Sequence, residues 1–169
     1  MDWPRKIVAV LKANDIGSIS FVPDSVIDRI LKEARKDPYF HFTTLAREEE
    51  GIGIITGEYL GGRYGVLMMQ SAGLGNCVNA LASLAIPYQI PFIMLISQRG
   101  ELGEFNACHA VMGKALRRIL EALGIAHYTV NREDELETIL NGAIKTAYTC
   151  DQPVAVILST ALAGWKDEK

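Results

Sequence analysis

Two hydrophobic periods alternate along this chain of 169 residues. Short β-like apolar runs occupy residues 18–22, 41–45, 65–70, 91–97, 126–130 and 153–158, and apolar residues at helical spacing lie between them. The runs at 66–69 and 92–96 are continuously apolar, which is typical of central strands buried on both faces. Strands that alternate with helices indicate a parallel sheet covered on both sides. The sequence therefore predicts one domain over residues 1–169, a three-layer α/β/α sandwich with a mainly parallel sheet.

The intervening helices are predicted around Ile7 and around Ile30, and then over residues 48–60, 74–86, 109–123 and 132–148. Asp24 or Ser25 is suited to cap the second helix, and Gly124 is suited to end the fifth. Residues 98–108 are expected to be irregular. The polar tail, residues 164–169, is expected to fray.

Composition and charge exclude several classes of protein. Hydrophobic residues make up 49% of the chain and the net charge is −3, which argues against disorder and against nucleic-acid binding. The most apolar region is interrupted by Pro87, Gln89 and Pro91, so no membrane span is expected. The N-terminus lacks the features of a secretory signal, and the three cysteines form no C-x-x-C motif. We expect a soluble cytoplasmic protein without structural zinc or disulfides.

Candidate chemistry concentrates at one edge of the predicted sheet. In sheets of this kind, ligands bind outside the carboxyl ends of the strands, where loops and helix N-termini converge. Four segments fall there: residues 23–25, 47–50, 70–76 and 98–109.

Three consecutive glutamates, Glu48, Glu49 and Glu50, begin an apolar helix. Acidic residues in a first helical turn favour the helix dipole and are commonly only solvated. The same helix contains Gly53 and Gly57, each of which weakens it by up to ~1 kcal/mol relative to alanine. Their presence favours close packing against that face. Three glutamates beside a helix with almost no polar face indicate a site in which at least one of the charges is used.

The other segments are ambiguous on their own. Gly73 and Gly75 give an incomplete dinucleotide fingerprint, which tight strand-to-helix packing explains equally well. His109 opens a predicted helix and is more typical of a capping or surface histidine than of a catalytic one. Arg99 is suited to bind an anion, or to pair with Glu101 or Glu104.

Taken together, these segments resemble the pyrimidine-binding domain of thiamine-diphosphate-dependent decarboxylases, in particular the sulfopyruvate and phosphonopyruvate decarboxylases. The resemblance covers most of the chain and rests on the following residues in the family's order: Val22-Pro23-Asp24-Ser25, the helix 48–60, Met69-Gln70-Ser71-Ala72-Gly73-Leu74-Gly75-Asn76, Leu95-Ile96-Ser97-Gln98-Arg99-Gly100 and residues 109–113. It implies decarboxylation of a small anionic 2-oxo acid, with sulfopyruvate as the main substrate, phosphonopyruvate as the alternative, and a place in coenzyme M biosynthesis.

The resemblance also implies roles for particular residues. A family glutamate hydrogen-bonds the aminopyrimidine ring of thiamine diphosphate, and alignment of the small-residue helix places Glu48 there, with Glu49 and Glu50 as lesser candidates. Gly73, Leu74 and Asn76 match the turn that lines the cofactor pocket. The match further assigns substrate contacts to Ser25 and Arg99, and proton transfer or substrate contact to His109.

One departure from the family pattern implies a partner. The Gly-Asp-Gly motif with which full-length members hold magnesium and the diphosphate does not occur in this sequence. The resemblance therefore implies a hetero-oligomer in which a beta subunit supplies Mg²⁺ and diphosphate binding, with this chain inactive alone and binding no metal itself. Two alternatives are a noncatalytic subunit that keeps the fold and an unrelated nucleotide-binding α/β module.

Overall fold

The computed structural model describes residues 2–164 as a six-stranded sheet with helices on both faces. The strands are β1 (Ile16–Phe21), β2 (His41–Thr44), β3 (Tyr64–Gln70), β4 (Phe92–Ser97), β5 (His127–Val130) and β6 (Pro153–Leu158). The helices are α1 (Trp3–Ala13), α2 (Ile27–Ala34), α3 (Glu48–Leu60), α4 (Gly73–Ala80), α5 (Ala107–Ala122), α6 (Leu136–Cys150) and α7 (Thr160–Ala163). A π-helical turn, Leu81–Ala85, continues α4.

The strand order is β2-β1-β3-β4-β6-β5, and every neighbouring pair is parallel. The predicted α/β/α sandwich is therefore confirmed. All carboxyl ends of the strands lie along one edge, so the loops that follow β2, β1, β3 and β4 are neighbours in that order.

Alternation along the central strands divides the core into two layers. Val66 and Met68 of β3 pack with α1, α2 and α6, whereas Leu67 and Met69 pack with α3, α4 and α5. All four side chains are fully buried, which explains why β3 reads as one continuous apolar run. Within residues 2–164, no helix has the length and apolarity needed to cross a lipid bilayer.

The element boundaries differ from the predictions where local hydrogen bonds decide them. Helix α5 begins at Ala107, before the predicted start, because the Asn106 side chain caps it by accepting from the Cys108 N–H at 3.0 Å. Helix α6 begins at Leu136, four residues later than predicted, and the π-helical turn and α7 were not predicted. Gly124 follows the end of α5 with φ +68°, as the predicted stop requires. Of the predicted frayed tail, residues 165–169 lie outside the described part of the chain.

Candidate functional site

The three glutamates at the start of α3 have three different environments. Glu50 accepts hydrogen bonds from the backbone N–H groups of Ala46 and Arg47 at 3.0 and 3.5 Å, so it caps its own helix. Glu49 is half-buried: its Oε1 pairs with Arg47 Nε at 2.7 Å, while its Oε2 is buried and has no hydrogen-bond partner among the described residues. Glu48 turns inward and is only 9% exposed. Of the three, Glu48 is the most buried, and it is the one that contacts the first turn of α4.

Helix α3 reaches this position because Gly51 lets it lie close to the sheet. A Cβ at Gly51 would lie 2.5 Å from Cδ1 of Leu67 on β3 and 2.8 Å from Cδ1 of Leu45. The close packing predicted at Gly53 and Gly57 is therefore found at Gly51 instead. A Cβ at either of those two glycines would meet no atom within 4 Å among residues 2–164, so that face of α3 is open.

The first turn of α4 encloses the Glu48 carboxylate. A Cβ at Gly73 would lie 2.5 Å from Glu48 Cγ and 2.6 Å from both Cδ and Oε1, so only glycine leaves room for the side chain. Asn76, one turn further on, donates from Nδ2 to Glu48 Oε2 at 2.7 Å. The hydrogen bond to Glu48 from within the described residues goes to Oε2, and none of them bonds Oε1. The arrangement holds a largely buried carboxylate with one oxygen available to a ligand.

Leu74 and Cys77 anchor this turn in the core. Both are fully buried against α3 and the sheet, so the Leu74 side chain supports the turn from below. Burial, together with the nearby negative charges of Glu48 and Glu49, raises the pKa of the Cys77 thiol to about 12. The thiol is therefore protonated at neutral pH and serves as packing.

Asp24 organises the loop after β1. Its Oδ1 accepts from the Val26 N–H at 2.9 Å, the Ile27 N–H at 3.4 Å and the Ser97 hydroxyl at 3.0 Å, while Oδ2 accepts from the Gln70 amide at 3.2 Å. Burial by itself would raise the pKa of this carboxyl, but these hydrogen bonds outweigh burial and lower it. Asp24 is therefore the residue that caps the entry to α2, and it ties that loop to the ends of β3 and β4.

Ser25 and Arg99, both predicted to contact substrate, line two different cavities, although Val26, which follows Ser25, also lines the cavity of Arg99. Ser25 is exposed and lines a surface depression with Asp24 and Arg35, whereas Arg99 lines a separate small cavity on the β4–β6 side. Both roles stay predictions.

The Arg99 guanidinium is already engaged within its own loop. It forms a bidentate pair with Glu104, 2.7 Å from Nε to Oε2 and 2.6 Å from Nη2 to Oε1, and it lies over the Phe105 ring. Hydrogen bonds from Arg99, and from the N–H groups of Gly100 and Asn106, lower the pKa of Glu104 to about 2. Of the two alternatives for Arg99, the pairing with Glu104 is the one observed, so an anionic substrate would have to displace that carboxylate.

His109 lies in the first turn of α5 and is half-buried. The helix is held by Gly113, at which a Cβ would overlap the carbonyl oxygen of Arg99, and by buried Gln98, which donates from Nε2 to the Gly113 carbonyl at 3.0 Å. His109 precedes Gly113 by four residues and so shares the face of α5 that meets this loop. Its catalytic role stays a prediction.

Sequence reasoning missed the residues that hold the site in place. Asp24 was noted only as a helix cap, and Gly51, Gln98 and Gly113 were not singled out. For Gln98, the available signal in the sequence was its position as a polar residue directly after an apolar strand. No local signal marks Gly113, because its requirement comes from a backbone 14 residues earlier in the chain.

No family model matches this chain. Curated proteins do match it along nearly its whole length. The chain is 34% identical over 164 residues to sulfopyruvate decarboxylase subunit alpha of Methanococcus maripaludis, covering 95% of this chain and 97% of the relative. It is 33% identical over 151 residues to the protein of the same name from Methanocaldococcus jannaschii, with 89% of each covered. Phosphonopyruvate decarboxylase of Streptomyces viridochromogenes is 30% identical over 134 residues, which is 78% of this chain and 34% of that protein.

Proposed function

Because the chain belongs to the family of sulfopyruvate decarboxylase alpha subunits, we propose that it is the alpha subunit of a thiamine-diphosphate-dependent 2-oxo acid decarboxylase. The proposed reaction converts sulfopyruvate to sulfoacetaldehyde and carbon dioxide. The observation that carries this proposal is the inward-facing Glu48 carboxylate, enclosed by Gly73 and Asn76 at the carboxyl edge of the sheet.

The residues present fit the aminopyrimidine part of thiamine diphosphate. Glu48 Oε1 receives no hydrogen bond from the described residues, and the absence of a Cβ at Gly73 leaves room for the Glu48 side chain. When bound, the cofactor supplies the nucleophilic carbon and the electron sink that decarboxylation needs. The part of Glu48 is to share a proton with a ring nitrogen, which a poorly solvated carboxylate does well.

A beta subunit is proposed to complete the site with Mg²⁺ and diphosphate binding. The relatives' own name, subunit alpha, supports a second subunit. The open face of α3 at Gly53 and Gly57 also leaves surface beside the site on which another chain can pack.

Sulfopyruvate is favoured over phosphonopyruvate because the sulfopyruvate relatives match more of this chain at higher identity. Ser25 and His109 are the proposed substrate contacts. Arg99 is a weaker candidate because Glu104 neutralises it.

The nucleotide-binding alternative is disfavoured by the same geometry. A phosphate at the N-terminus of α4 would have to occupy space next to Gly73, and the Glu48 carboxylate already lies there. Two negative groups in one poorly solvated place repel each other.

The test is carbon dioxide release by this chain co-expressed with a beta subunit from the same genome. We expect activity that requires thiamine diphosphate and Mg²⁺ and is higher with sulfopyruvate than with phosphonopyruvate. Glu48→Gln should lower kcat at least 100-fold, as loss of an acid–base group does. Glu50→Gln keeps an oxygen that can accept the cap hydrogen bonds and should keep most activity.

Three results would contradict parts of the proposal. Activity without thiamine diphosphate would refute the proposed cofactor. Activity of this chain alone would refute a site shared with a beta subunit. Full activity of Glu48→Gln would leave a noncatalytic subunit as the better description.

A further inference from the structure

Asn76 contacts Glu48 in a way that separates the two oxygens of its carboxylate. The amide Nδ2 donates to Oε2 at 2.7 Å, while Oε1 receives no hydrogen bond from residues 2–164. Gly73, on the same turn of α4, restricts the carboxylate from the other side, since a Cβ there would lie 2.6 Å from Oε1. Helix α4 therefore fixes both the position of the carboxylate and the oxygen that stays available.

We propose that Asn76 is a positioning residue that acts through Glu48. Its N–H group occupies Oε2 and holds the side chain in one rotamer, so that Oε1 is the oxygen presented to the aminopyrimidine ring. This rests on the proposed function, because the oxygen needs a partner that only the cofactor supplies.

The chemistry of the amide suits this role. A neutral N–H donor stabilises the ionised carboxylate without adding a positive charge that would compete for the proton Glu48 must share. An aspartate at position 76 has nearly the same shape but no donor, and it places a second negative charge beside Oε2. Asn76→Asp should therefore be more damaging than Asn76→Ala.

The chain offers a matched control on the same helix. Asn79 is an exposed asparagine of α4 whose Oδ1 accepts from the Ser83 hydroxyl at 3.2 Å and makes no contact with Glu48. Asn79→Ala and Asn79→Asp repeat the same chemical changes three residues away.

The experiment measures two quantities in the assembled complex with its beta subunit. One is the dissociation constant of thiamine diphosphate by calorimetry. The other is the exchange rate of the cofactor's acidic C2 proton with deuterium, which reports proton handling without any substrate. Each is compared among the wild type, Asn76→Ala, Asn76→Asp and the two Asn79 variants.

We expect Asn76→Ala to slow proton exchange about 10- to 100-fold, the range given by a hydrogen bond to a charged group. The melting temperature should stay close to that of the wild type, and the Asn79 variants should exchange normally. In a Glu48→Gln background, Asn76→Ala should change the exchange rate less than twofold, because its effect passes through that carboxylate.

Two outcomes separate this proposal from the proposed function. A wild-type complex that neither binds the cofactor nor exchanges its proton overturns both. A wild-type complex that does both, with Asn76→Ala exchanging at the wild-type rate or slowing equally in the Glu48→Gln background, overturns only the role of Asn76.

Discussion

Replacing Gly73 with alanine tests the geometry of the site most directly. The added Cβ would lie 2.5 Å from Glu48 Cγ, whereas ordinary contact begins at 3.4 Å, so the overlap is about 0.9 Å. Helix α4 is anchored by buried Leu74 and Cys77 and cannot retreat easily. We therefore expect the Glu48 side chain to be driven from its place.

The expected cost combines two opposing effects. Overpacking of this size typically lowers the free energy of unfolding by about 1–3 kcal/mol. Alanine in place of glycine in a helix raises it by up to ~1 kcal/mol. The net stability loss should therefore be small, about 0–2 kcal/mol. The activity loss should match that of Glu48→Gln, because the carboxylate is displaced.

The assay is a double-mutant cycle with urea denaturation and carbon dioxide release. In a Glu48→Ala background the overlapping atoms Cγ, Cδ and Oε1 are gone, so Gly73→Ala should no longer destabilise the chain. Gly142→Ala on α6 is the matched control, since a Cβ there meets no atom within 4 Å among the described residues. Wild-type activity in Gly73→Ala, or an equal stability cost in both backgrounds, would refute the geometry.

Three further predictions concern the elements around the site. Gly113→Ala should lower the free energy of unfolding in urea by about 3 kcal/mol, because the new Cβ overlaps the backbone of Arg99. Gly142→Ala, whose Cβ has open space around it, should not lower it. Equal stability of the two variants would be inconsistent with this packing. Asp24→Asn should cost about 1–3 kcal/mol at pH 7. Because the pKa of Asp24 is lowered in the folded state, the ionised carboxylate contributes to the free energy of unfolding above the ordinary pKa near 3.9, and this contribution is lost as the pH falls below it. The stabilities of the wild type and Asp24→Asn should therefore converge in acid. A stability difference independent of pH would argue against an ionised Asp24. Iodoacetamide at pH 8 should modify the two exposed cysteines and spare Cys77, as followed by mass spectrometry, and equal labelling of all three would contradict its burial.

The sheet could be predicted because its signals are local. The apolar runs of β3 and β4 and the helical periods between them depend only on neighbouring residues. Asn106 shows the limit: the hydrogen bond that sets where α5 begins involves a side chain whose capping partner cannot be identified from periodicity.

The site could be predicted only in part, for a related reason. The family resemblance selected Glu48 among three adjacent acids, and the structure gives each of them a distinct environment. The supports could not be found this way, because they depend on contacts between distant segments. Gly51 is required by a side chain on β3, and Gly113 by the loop after β4.

The contact between Gly73 and Glu48 also constrains how related chains can diverge. A side chain at position 73 and an inward-facing glutamate at position 48 exclude each other, so position 73 cannot change while the glutamate is kept. A subunit without the glutamate would no longer require glycine at position 73, and alanine at that position would stabilise helix α4. Glycine and glutamate are thus expected to be inherited as a pair, and a homologue that carries any other residue at position 73 should have abandoned the carboxylate as well.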